Sequence, residues 1–109
     1  MAKHEFGIME SDPVKDRRYD DYEPQKYNCI SIDNEYIERI GAELTTLKCC
    51  AHTLDVPICG LAYCGITLIP PEAIEQFLPL IKSRPEMDDL KKLLCDALEK
   101  NKFVIHFGL

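Results

Sequence analysis

Basic charge is in deficit in this sequence: 13 Lys and Arg side chains face 19 Asp and Glu, a formal net charge of −6. Non-specific nucleic-acid affinity comes mainly from cationic side chains that neutralise phosphates. The densest basic spots, Lys15/Arg17/Arg18 and Lys91/Lys92, lie among acidic residues. The sequence therefore argues against DNA, RNA and anionic membranes as partners. Glycine is sparse as well. Gly7, Gly41, Gly60, Gly65 and Gly108 are scattered, so neither a P-loop nor a dinucleotide fingerprint can be assembled from them.

No apolar run approaches the roughly 20 residues that span a bilayer. The start of the chain, Met1-Ala2-Lys3-His4-Glu5-Phe6, lacks the apolar stretch of a secretory signal. The expected location is cytoplasmic, where thiols stay reduced. A C-x2-C pair, the usual hallmark of structural zinc, is also missing. Six cysteines are nevertheless present: Cys29, Cys49, Cys50, Cys59, Cys64 and Cys95. Free cysteine is among the most buried residue types, so packing is the expected role for most of them.

With 109 residues, the length suits one domain with its own core. Phe6 and Ile8 alternate in a weak strand signal over Glu5–Met9. Residues 10–26 then turn charged and carry Pro13 and Pro24, the composition of an exposed loop or arm. We divide the chain accordingly into a strand and charged arm (1–26) and an α+β core (27–109), together one folding unit. Tyr27–Ile32 favours a strand, and Asp33 stands as N-cap to a helix reaching Leu47, with Ile37, Ile40, Leu44 and Leu47 on one stripe. Leu54–Gly60 reads as a connection and Leu61–Ile69 as a strand. Pro71 opens a helix that Pro79 should kink or interrupt. Ser83-Arg84-Pro85-Glu86 has the spacing of a capping box before a last helix, on which Asp88 and Lys92 are placed to pair. Phe103–Phe107 closes the fold as a strand.

This order predicts an α+β domain with a mainly antiparallel sheet and helices on one face. Setting the N-terminal strand aside, β-α-β-β-α-β matches a ferredoxin-like split βαβ, although other topologies share that order. Pleat alternation then sorts the side chains. Ile30, Ile32, Ile66, Leu68, Phe103, Ile105 and Phe107 are expected under the helices, with Val104 on the outer face. If His52 pairs opposite Tyr63, the outer face gathers Tyr27, Cys29, Ser31, Cys50, His52, Tyr63, Thr67 and His106, with Asp55 at its rim. A face of aromatic, thiol and imidazole groups is expected to be covered by the arm, a second copy of the chain or a ligand.

Three functional readings follow. The leading one is a non-enzymatic binding or regulatory module that uses this outer face, as a homodimer, with no cofactor. Its partners are a second copy of the chain or a small molecule seated between His52, Asp55, Tyr63 and the arm. An enzyme or redox protein would need Cys50 or Cys29 activated by His52 or His106, with Asp55 as orienter. A metal protein would draw on Cys50, His52, Cys59 and Cys64. Adjacent Cys49 and Cys50 point to opposite faces of a strand, so only part of the cluster could converge.

Overall fold

The sheet is built around the first strand of the chain. In the computed structural model, which describes residues 3–19, 21–62 and 64–108, β1 (Lys3–Ile8) lies inside the sheet rather than beside it. One of its neighbours is β2 (Ile30–Asp33), paired Lys3↔Asp33 to Phe6↔Ile30. The other is β6 (Val104–Phe107), paired Glu5↔Phe107 to Ile8↔Val104. The N-terminal segment is thus part of the core, which corrects its assignment with the arm. With β3 (Lys48–Ala51), β4 (Pro57–Cys59) and β5 (Ile66–Ile69), the sheet has the order β2-β1-β6-β5-β3-β4 and every neighbouring pair is antiparallel.

That order is not ferredoxin-like, and the reason lies in the second helical unit. α3 (Pro71–Ile81) and α4 (Asp88–Glu99) are joined by a short 3-10 turn at Pro85–Met87 and pack on each other. A short link of this kind makes an antiparallel helix pair. The chain therefore comes back to the end of the sheet where it left β5, and β6 pairs antiparallel with β5, Ile66↔Phe107 to Ile69↔Val104. A split βαβ would need a single helical traverse. The fold is α+β, with α1 (Asn34–Arg39), α2 (Gly41–Leu44), α3 and α4 covering one face of the sheet. No helix among the described residues is long and apolar enough to cross a membrane.

Local departures from the sequence reading have local causes. The helix expected over 34–47 breaks at Ile40 (φ −114°, ψ 17°), just before helix-disfavouring Gly41. Asp33 holds the N-cap position without a side-chain cap bond. Pro79 does not interrupt α3: it sits exposed in the last turn, and the helix ends two residues later at Ile81. Ser83 caps nothing, and Glu86 instead reaches Arg39 at 4.0 Å. Asp88 pairs with Lys91 (2.8 Å) and not with Lys92. The strand expected from Leu61 begins only at Ile66, after Gly65 at φ 109°.

The faces of β5 and β6 are the main correction. Phe6, Ile32, Cys49, Ile69 and Val104 belong to the helix-side core, with Leu47, Phe77, Leu90 and Leu94. Ile66, Leu68, Ile105 and Phe107 form a second cluster on the other face with Met9, Tyr19, Tyr27, Cys29, Cys50 and Leu54. The alternation was read with the right period and the wrong phase, because all residues of both strands are buried. Ile30 and Ile32 do lie on the helix side, as expected. The arm roofs the second cluster. Tyr19 N–H donates to the His52 carbonyl (2.7 Å), and Tyr22 and Tyr27 lean on Phe107 at 5.3 and 6.2 Å between ring centroids.

Gly7 permits this roof. A Cβ there would stand 2.6 Å from Tyr27 Cβ and 2.8 Å from both the Tyr27 carbonyl oxygen and Cys29 Sγ. Replacement by alanine must push the 27–29 segment off the sheet. We expect Gly7→Ala to lower unfolding stability by about 1–3 kcal/mol, measured by urea denaturation; an unchanged midpoint would show that the segment moves freely.

Candidate functional site

The expected outer-face residues divide between two places. Tyr27, Cys29 and Cys50 pack against the cluster on the arm side of the sheet. His52 is half-buried just after β3, its N–H bonded to the Ile66 carbonyl (2.9 Å), so it stands opposite Ile66. Asp55 is exposed in the β3–β4 hairpin. Tyr63 lies outside the described residues. Thr67 and His106 are fully buried on the helix side, the consequence of the reversed phase of β5 and β6. A cavity of about 230 Å³ does open beside the arm, lined by Met9, Val14, Arg17, Tyr19 and Tyr27. His52 and Asp55 are not part of its wall.

The thiols on and near this face are poorly suited to nucleophilic work. Burial, with the Glu5 charge adding to it, pushes Cys29 up to about 12. Cys49 is pushed up to about 12 by burial and by Cys50 and Cys59 alongside. Burial also raises Cys50, and the carboxylate proposed as its orienter, Asp55, raises it further. The Cys50 thiol faces the Leu54 carbonyl at 3.8 Å. Among the described residues, no three His, Cys, Asp or Glu side chains converge to hold an ion. Cys59 and Cys64 are exposed while Cys50 is half-buried.

His106 belongs to a constellation that sequence reasoning missed. Its Nε2 lies 2.8 Å from His4 Nδ1, and its Nδ1 lies 3.2 Å from Thr67 Oγ1. His4 Nε2 lies 2.8 Å from Asn34 Oδ1, and Asn34 Nδ2 donates to Glu38 Oε1 at 2.9 Å. The protons can be assigned from the two ends. Glu38 as a carboxylate only accepts, so Asn34 presents its oxygen to His4, and His4 donates from Nε2. Neutral His4 then accepts at Nδ1 from His106 Nε2–H. Neutral His106 accepts at Nδ1 from the Thr67 hydroxyl, which itself accepts from Ala62 N–H at 2.8 Å. Each donor points the same way, from the loop before β5 to the surface of α1.

Burial makes this chain depend on neutrality. His4 and His106 are 1% and 0% exposed, with ring centroids 5.0 Å apart and stacked at 16°. Desolvation, followed by repulsion from His4, lowers His106 to about 3. One signal could have exposed the pair: His4 shares the alternation of Phe6 and Ile8, two residues before the point where the strand was expected to gather apolar side chains.

Two outcomes follow. An aromatic disulfide reagent in mild base should modify exposed Cys59, Cys64 and Cys95 first. Cys29 and Cys49 should lag by about a hundredfold or more, since each pKa unit costs tenfold in thiolate, and Cys50 should also react after the exposed thiols. Rapid reaction of Cys50 would contradict the environment described. Stability should also depend on pH with a defined sign. An unfolded histidine titrates near 6.5 and folded His106 near 3, so the unfolded state binds more protons between those values. The His106 contribution is complete above pH 6.5 and is lost as pH falls toward 3, with a slope of up to about 1.4 kcal/mol per pH unit. Urea midpoints across that range give the slope, which should shrink in His106→Gln.

Comparison with protein-family models, with curated proteins and with solved structures finds no match to this chain.

Proposed function

We propose that the protein is a non-enzymatic binding module whose working surface is the arm-covered side of the sheet, and that its partner is a second copy of the chain. One observation carries the reading. The large apolar side chains left exposed among the described residues are Val14 (58%), Tyr22 (64%) and Val56 (41%). Val14 and Tyr22 stand on the arm, and Val56 is in the β3–β4 hairpin beside Leu54, which packs into the arm-side cluster. The helix layer exposes no comparable side chain. Apolar groups gathered on one side of a small domain mark an interaction surface more often than a solvated one. The raised thiols of Cys29 and Cys50 favour recognition over catalysis at the same surface.

A self-complementary patch of this kind suits a two-fold pair, the commonest oligomer. Mixed charge around it, with Lys15, Arg17 and Arg18 near Asp12, Asp16 and Asp21, lets two copies face each other without net repulsion. Sedimentation velocity over a concentration series tests the reading. The expected result is a reversible dimer, weakened about tenfold or more by Val14→Asp or Val56→Asp. A monomer at every concentration would overturn the choice of partner.

A further inference from the structure

Two turns fold the arm and bring similar pairs of side chains to one place. In the first, Arg17 N–H donates to the Val14 carbonyl (3.2 Å), with Asp16 left-handed at φ 72° in the third position, as in a type II turn. Val14 N–H donates to the Tyr19 hydroxyl (2.9 Å), which closes residues 14–19 into a ring. The second is the 3-10 turn Pro24–Tyr27, stopped by left-handed Asn28 at φ 49°. Each turn lays one cation over one tyrosine ring. Arg17 stands 5.2 Å from the Tyr19 ring centroid, and Lys26 stands 5.5 Å from that of Tyr27. Both pairs line the cavity of about 230 Å³ beside the arm.

Three kinds of side chain make up the wall of this cavity. Met9, Val14 and the two tyrosine rings give it apolar surface. Arg17 and Lys26 add positive charge, Glu10 and Asp12 negative charge. None of these four charged groups stands in an ion pair among the described residues. Opposite charges thus border one hollow without meeting across it. A simple anion would be drawn by the two cations and opposed by the two carboxylates, and a simple cation would meet the reverse. A small molecule that carries both a carboxylate and an ammonium complements both sets. Arg17 can hold such a carboxylate through two parallel N–H bonds. The volume falls below the roughly 300–1,000 Å³ of sites for drug-sized ligands, which limits the occupant to about the size of one amino acid.

We propose that this cavity binds a free α-amino acid with an apolar side chain. Its carboxylate lies between Arg17 and Lys26, its ammonium toward Glu10 and Asp12, and its side chain against Met9, Val14 and Tyr27. The ligand thereby ties the two turns of the arm together. This site goes beyond the self-association proposed above and does not rest on it. Val14 borders both surfaces, but ligand binding is read on the amides of one chain and pairing is read on mass, so either idea can fail without the other.

Titration of the labelled full chain with L-leucine, L-methionine and L-phenylalanine, followed by two-dimensional NMR, tests the site. At least one of the three should give saturable shifts at the amides of Met9, Val14, Arg17 and Tyr27 below about 10 mM. The deaminated acid and the amide of the amino acid that binds each keep the side chain and lose one charge. Each should bind about tenfold or more weakly, the usual cost of a lost charged hydrogen bond. Arg17→Gln and Asp12→Asn change exposed side chains and should weaken binding by a similar factor, with the Tyr19 amide reporting that the arm stays docked. No saturable shift with any of the three amino acids would overturn the site. So would equal binding of the deaminated acid, which would make the cavity a site for anions only, or undiminished binding in Arg17→Gln.

Discussion

A single antiparallel sheet with all its helices on one side leaves its other side to be covered by something, and here that side is strongly apolar. Ile66, Leu68, Ile105 and Phe107 cannot be left in water without losing about 1.5–3 kcal/mol each. The arm is the cover. Its charged composition, which marks a solvated loop by eye, conceals two residues that dock, Tyr19 and Tyr22, between Met9 and Tyr27 that also pack there. Gly7 leaves room for the backbone of 27–29 to pass close over β1, and the bond from Tyr19 to His52 ties the far end to β3. Much of what is distinctive in the structure, including the raised thiols, follows from this roof.

Burial on both faces also explains the polar chain through the sheet. Every residue of β6 is buried, so that strand has no wet side to which a histidine can be turned. The alternatives are to leave it out or to satisfy each of its nitrogens within the protein. The pair does the second, with Thr67 and Asn34 completing what one imidazole gives the other. Among the described residues no buried side-chain nitrogen or oxygen lacks a partner. Such a network helps fix which strands are neighbours, because a shift of β1 against β6 would separate His4 from His106.

The sequence was most legible where one face of an element is wet. α4 shows this best: Leu90, Leu93, Leu94 and Ala97 are buried at helical spacing, and Asp88, Asp89, Lys92, Asp96 and Glu99 around them are exposed. Ile30 and Ile32 were placed correctly for the same reason, since Ser31 between them is polar and exposed. Legibility failed in β5 and β6, where every residue is buried and alternation keeps its period but loses its phase. That one ambiguity moved Thr67 and His106 to the wrong side of the sheet. Topology failed for another reason: periodicity locates helices but says nothing of direction, and whether α3 and α4 form one traverse or two decides where β6 lies. Alternation with Phe6 and Ile8 turns His4 inward, but only the tertiary fold brings residue 4 beside residue 106.

The position of β1 also constrains the order of events in which the fold can form. β1 precedes every other strand of this sheet along the chain and β6 follows every other, yet they lie side by side inside it. Pairings between residues far apart in the chain require large loops to close before they return any contact energy, which slows folding. Until β6 is available, β1 can pair only with β2, and β5 only with β3. Two partial sheets therefore exist before there is one, and the last of these strands along the chain is the one that joins them.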